Sequence, residues 1–144
     1  MPPLTSDRST PQQLGDLRVA GVAAATLIYQ GAIVMRDAAG YATKGATAAG
    51  AVGIGRAETR ADNSAGAAGD LDVTYQPGTF RFANSAAADA IAAADIGKLC
   101  FIVDDQTVAK TDGTATRSPA GIVEAVDALG VWVRFDEALT LAAV

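Results

Sequence analysis

Gly31-Ala-Ile-Val-Met-Arg-Asp37, Tyr41-Ala-Thr-Lys44, Val52-Gly-Ile-Gly-Arg-Ala-Glu58 and Leu71-Asp-Val-Thr-Tyr75 are followed by a second writing of the same pattern. The later set is Gly97-Lys-Leu-Cys-Phe-Ile-Val-Asp104, Val108-Ala-Lys110, Ala120-Gly-Ile-Val-Glu-Ala125 and Val131-Trp-Val-Arg-Phe135. Gly31 matches Gly97, Lys44 matches Lys110 and Gly53 matches Gly121. A repeated unit of this kind buries its apolar face against its copy, so the pattern implies one architecture built by duplication. The two units span about residues 31–82 and 97–135.

Working outward, the segments are short, rich in Val, Ile, Tyr and Phe, and separated by Gly or Asp, the spacing of a sandwich or barrel. Leu71, Val73 and Tyr75 alternate with Asp70, Asp72 and Thr74, as a strand with one wet face requires. Phe80 and Phe82 flank Arg81 in the same way, and Val131, Val133 and Phe135 alternate with Trp132 and Arg134. Residues 98–103 are apolar on both faces, which suggests a central strand or one covered by a neighbouring subunit. Between the units, residues 85–94 read as a short linker helix: Asn84 or Ser85 caps it, alanine favours it, and Ile96-Gly97 ends it. Residues 1–16, with Pro2, Pro3 and Pro11 and no apolar period, read as an extended arm preceding a single domain over 17–144. The expectation is an all-β fold, a small sandwich or barrel of two related β units joined by one short helix.

Composition narrows the function. The 144 residues suit one domain, and a hydrophobic share of 50% excludes disorder for most of the length. Alanine supplies roughly a quarter of the chain, far above ordinary usage, so the core should be thin and gain stability by association. A net charge of −5 disfavours binding to nucleic acid. Histidine is absent, which removes the usual neutral-pH acid–base group and the commonest transition-metal ligand. The lone Cys100, between Leu99 and Phe101, reads as a buried inert thiol. The N-terminus lacks a basic n-region and an apolar h-region, and the uncharged stretch 19–35 is short for a membrane span. A soluble protein made in a cytoplasm is therefore expected.

No motif carries evident chemistry. Gly53-Ile-Gly55-Arg-Ala-Glu58 lacks the third glycine and the following helix of a dinucleotide fingerprint, and reads as a strand kink. Asp104, Asp105 and Asp112 lack the order of a calcium loop and read as turn residues. Glu58 and Glu124 occupy nearby positions in the two copies, but a glycosidase pair also needs an aromatic-lined sugar cleft. One Trp, three Tyr and four Phe, most alternating inward, do not supply it. No catalytic residue, cofactor or metal site is expected. Trp132, beside Arg134 and opposite Val131 and Val133, is either an interface residue or part of a second buried layer.

In their order, Val19-Ala-Gly-Val22, Ile28-Tyr-Gln-Gly-Ala-Ile-Val34, Gly40-Tyr41, Val52-Gly-Ile-Gly55, Asp62-Asn63, Gly66-Ala-Ala-Gly-Asp70 and Pro77-Gly-Thr-Phe80 resemble the capsid cement, or head decoration, proteins of tailed bacteriophages and prophages. Ala94-Asp-Ile-Gly-Lys98, Phe101-Ile-Val-Asp-Asp105, Pro119-Ala-Gly-Ile-Val123 and Val131-Trp-Val133 continue the likeness, which covers roughly residues 17–137. The resemblance implies a non-enzymatic, commonly trimeric virion component on the outer capsid surface, partnered by the major capsid protein and by itself. It implies no nucleic acid, membrane or cofactor. Pro2, Pro3 and Leu4 of the arm, with Leu99, Phe101, Trp132 and Arg134, are the expected interface. The rival class is a carbohydrate- or receptor-binding surface module, for which Trp132 and Tyr41 are the candidate stacking residues.

Overall fold

Twelve strands and one α-helix form in the order β1 (Arg18–Gly21), β2 (Thr26–Ile28), β3 (Ile33–Arg36), β4 (Ala42–Lys44), β5 (Val52–Ala57), β6 (Ala61–Asn63), β7 (Asp72–Gln76), β8 (Gly78–Asn84), β9 (Leu99–Ile102), β10 (Thr107–Ala109), β11 (Pro119–Asp127), β12 (Gly130–Phe135) and α1 (Glu137–Ala143). The computed structural model describes residues 2–144; Met1, the first residue of the expected arm, lies outside them. The fold is all-β, as the short alternating segments require. Residues 2–16 form neither helix nor strand and are exposed. No helix of the described residues is long and apolar enough to cross a membrane.

Two sheets share one strand order. The first runs β4-β3-β5-β7-β1, and the second runs β10-β9-β11-β12-β8 and closes into a barrel where β10 pairs with β8 in parallel. The first is bridged at the equivalent place by a single parallel contact, Val22 to Ala42. The register changes which glycines correspond: Val34 faces Gly55 across β3–β5, and Cys100 faces Gly121 across β9–β11. Gly55, not Gly53, is thus the counterpart of Gly121. The physical reason is the same in both copies. A Cβ on Gly55 would lie 2.4 Å from the Gln76 carbonyl oxygen, and one on Gly121 would lie 2.2 Å from that of Arg134. Gly53 serves another purpose, since a Cβ there would sit 2.3 Å from the Ala120 carbonyl oxygen, where β5 crosses β11.

The two cores differ in bulk. The first mixes Val22, Ile28, Val34, Ile54 and Val73 with Ala20, Ala32, Ala42, Ala57 and Ala61. The second gathers Phe82, Cys100, Ile102, Val108, Val123, Val131, Val133 and Phe135, with Ala120 its one fully buried alanine. There Phe82 and Phe135 meet edge to face at 5.7 Å. The thin core expected from alanine therefore describes the first sheet only. β3 is shared: Val34 points into the first core while Ile33 and Met35 join the second. Each such aliphatic side chain contributes roughly 1.5–3 kcal/mol on burial, so β3 welds the two sheets together.

The linker helix over 85–94 does not form. Two single 3₁₀ turns, Ala87–Asp89 and Ala93–Asp95, stand there instead. Asn84 clamps the segment: its Oδ1 accepts from the Ile91 N–H at 2.9 Å and its Nδ2 donates to the Ile91 carbonyl at 2.8 Å. Asp95 accepts from the Ala92 N–H at 2.8 Å, and Ala87 is left-handed at φ 55°. Alanine favours a helix, but only Ile91 offers an apolar side chain to the core, and a short helix without a buried face is not stable. The α-helix forms at the C-terminus. There Asp136 caps α1 by accepting from the Leu139 N–H at 3.0 Å, and Arg36 holds Glu137 at 2.7 Å. The signal, Asp136-Glu137 ahead of Ala-Leu-Thr-Leu-Ala-Ala, is the usual acidic start of a helix.

Candidate interaction surface

Strand alternation turns Val131, Val133 and Phe135 inward and leaves Trp132 and Arg134 on the outer wall of the second barrel. Across β9, β11, β12 and β8, the register aligns Leu99 with Ile122, Ile122 with Arg134, and Arg134 with Thr79. Phe101 lies two residues along β9 beside Pro119, and Trp132 lies two residues along β12 beside Arg81. Four of the expected interface residues, Leu99, Phe101, Trp132 and Arg134, therefore share this outer wall. Cys100 and Ile102 point into the barrel between them, so residues 98–103 are a barrel strand with a half-buried outer row. Pro2, Pro3 and Leu4 are exposed and neither sheet covers them; Leu4 is 71% exposed.

Trp132 is not part of a second buried layer. Its indole Nε1 donates to Asp127 Oδ2 at 3.0 Å, and the Arg81 guanidinium stands 5.5 Å from the ring centroid. Arg81 also lies 3.9 Å from Asp127, whose Oδ1 accepts from the Leu129 and Gly130 N–H groups of the β11–β12 turn. The ring is thus held in one orientation on the outer wall and remains partly exposed. An aromatic fixed before binding loses little side-chain freedom on association, which favours it as an anchor. Arg134 is freer, 3.7 Å from Asp136 and about half exposed.

The Trp132 bond, followed by the turn N–H groups, holds the Asp127 carboxyl below the ordinary aspartate range. A lowered folded value contributes stability above the unfolded value and loses it as pH falls through the folded one. Because the chain has a single Trp, its fluorescence should report this step alone. We expect an acid transition with a midpoint below that of a free aspartate, absent in Asp127→Asn. A titration identical in the two proteins would remove Asp127 from the anchor.

Other candidates are placed in structural roles. Cys100 is fully buried, and burial pushes its thiol up to about 12, so it is no nucleophile at neutral pH. Asp104 accepts from the Gln106 N–H at 2.9 Å, as a turn aspartate does. Glu58 is ion-paired with Arg56, whose guanidinium covers the Phe80 ring at 4.2 Å; Glu124 is exposed on the second barrel. Among the described residues no His, Cys, Asp and Glu group is arranged to hold a metal ion. A cleft of about 550 Å³ between the sheets is lined by Arg18, Tyr75, Thr79, Arg134, Asp136 and Glu137. Its carboxylates are engaged, Asp136 in the helix cap and Glu137 with Arg36.

Tyr41, the other stacking candidate, is half-buried against Gly21 and Gly69. The most exposed aromatic among the described residues is Tyr29, at 53%. Tyr29 precedes the Gln30-Gly31 turn and belongs to no stretch of the sequence that points to chemistry. No protein-family model, curated protein or solved structure matches this chain.

Proposed function

We propose that this chain is a structural virion protein that binds the outer surface of a phage capsid as a homotrimer and stabilises the shell. The observation that carries the reading is the outer wall of the second barrel, where a pre-oriented Trp132 and Arg134 point outward from β12, and Leu99 and Phe101 from β9 one strand beyond β11. The ordered motifs that resemble head decoration proteins add to it, as does an exposed arm over 2–16 that a shell subunit could cover. In this reading the protein's work is mechanical and non-enzymatic. A trimer touching several shell subunits must be peeled from all of them before they separate, so contacts of about 1–2 kcal/mol each accumulate over the shell.

Bare and decorated capsids heated in parallel test this. Decorated shells should rupture at a higher temperature, and purified protein added back should restore that resistance. The free protein at micromolar concentration should scatter light with the mass of a trimer. If bare and decorated shells fail at the same temperature, the reading is wrong.

A further inference from the structure

The two sheets also meet at a smaller cleft of about 350 Å³, lined by Tyr29, Gln30, Gly31, Ala32, Asp105 and Gln106. Its volume falls within the range of small-ligand sites, roughly 300–1,000 Å³. The backbone on both sides is fixed. The Gly31 N–H donates to the Ala57 carbonyl at 2.9 Å, and the Ile33 N–H donates to the Asp105 carbonyl at 2.9 Å. The side chains are not. Among the described residues the Tyr29 hydroxyl, the Gln30 and Gln106 amides and the Asp105 carboxylate make no hydrogen bond or ion pair. By contrast the turn carboxylates of Asp37, Asp62, Asp104 and Asp127 are all engaged. Arg60 stands 5.5 Å from the Tyr29 ring centroid.

We infer that this cleft binds a neutral saccharide. A pyranose presents a C–H face that packs on an aromatic ring, and pairs of vicinal hydroxyls that both donate and accept. Two planar amides and a carboxylate match those hydroxyls, because between them they supply both donors and acceptors that no other group of the fold occupies. The Asp105 carboxylate and the nearby Arg60 guanidinium leave the cleft with no net charge of its own, which favours a neutral ligand over an ion. The inference does not rest on the capsid reading: a chain that leaves shells unprotected still presents this cleft.

Amide NMR spectra of the full chain, titrated with methyl α-D-glucopyranoside, methyl α-D-mannopyranoside, methyl β-D-galactopyranoside and N-acetylglucosamine, test it. At least one sugar should shift the Gln30, Gly31 and Gln106 amides saturably, with a dissociation constant on the order of 1 mM. Tyr29→Ala should weaken that binding by about tenfold or more. Should Tyr29→Ala lose spectral dispersion, Gln106→Ala gives the same reading, since its exposed side chain holds nothing in the fold. The inference is overturned if all four sugars leave these amides unmoved at about 50 mM, or if both variants titrate as the parent does.

Discussion

Trp132→Ala is expected to weaken capsid affinity by roughly 30-fold, about 2 kcal/mol of binding, while the isolated protein folds as before. In the proposed reading the indole would contribute to binding because it is already oriented by Asp127 and Arg81 on the outer wall. Removing it leaves no cavity, since Val131 and Val133, not Trp132, fill the barrel. The Asp127 carboxylate keeps its two turn N–H donors, so the β11–β12 turn should survive. Co-sedimentation with shells at graded protein concentration gives the occupancy curve, and urea unfolding gives the control. An unchanged curve with unchanged stability would take the anchor away from Trp132 and leave the arm or Leu99 and Phe101 to carry the contact.

The other large effect is on stability. Gly121→Ala and Gly53→Ala should each lower unfolding free energy by about 3 kcal/mol or more. The added Cβ meets backbone in both cases: Arg134 oxygen at 2.2 Å for Gly121 and Ala120 oxygen at 2.3 Å for Gly53. Backbone in a paired strand cannot rotate aside as a side chain would, so the strands must separate or the register must slip. Gly97→Ala is the comparison. Its φ is 87° but nothing lies within 4 Å of the new Cβ, so only conformational strain of about 1 kcal/mol is added. Urea midpoints for the three variants separate the two causes. Equal shifts for Gly97→Ala and Gly121→Ala would show that strain, not close approach, selects these glycines.

The proposed saccharide cleft and the proposed capsid-facing wall lie on different residues, so each proposal can fail alone. Tyr29 and Gln106 take no part in the outer row of β9 and β12. Loss of shell protection with intact sugar binding would leave a surface recognition module; the converse would leave a structural part without a ligand.

Sequence alone determined the strands and the direction of their side chains. A period of two is local, so Val131, Val133 and Phe135 were placed inside and Trp132 outside without knowing what either face touches. It also pointed to a repeat, but not to its bounds: β8 (Gly78–Asn84), read as the end of the earlier unit over 31–82, pairs with β12 and β10 in the later barrel, and β1 (Arg18–Gly21), left outside that unit, belongs to the first sheet. Tertiary structure decided what local pattern does not encode. The constant separation of 66 residues that relates Gly31 to Gly97 and Lys44 to Lys110 takes Gly55 to Gly121, so this correspondence was legible in the sequence. What only the structure showed is the bulge between Val34 and Met35 that lets β5 present Gly53 to β11. The closure of β8 on β10 joins residues distant in sequence. The segment 85–94 has alanine's helix propensity and no helix, because the clamp from Asn84 to Ile91 and the burial of Ile91 outweigh a few tenths of a kcal/mol per residue. Tyr29 came to face Asp105 and Gln106 for the same reason: the two turns belong to different sheets, and only their packing through β3 brings them to one cleft.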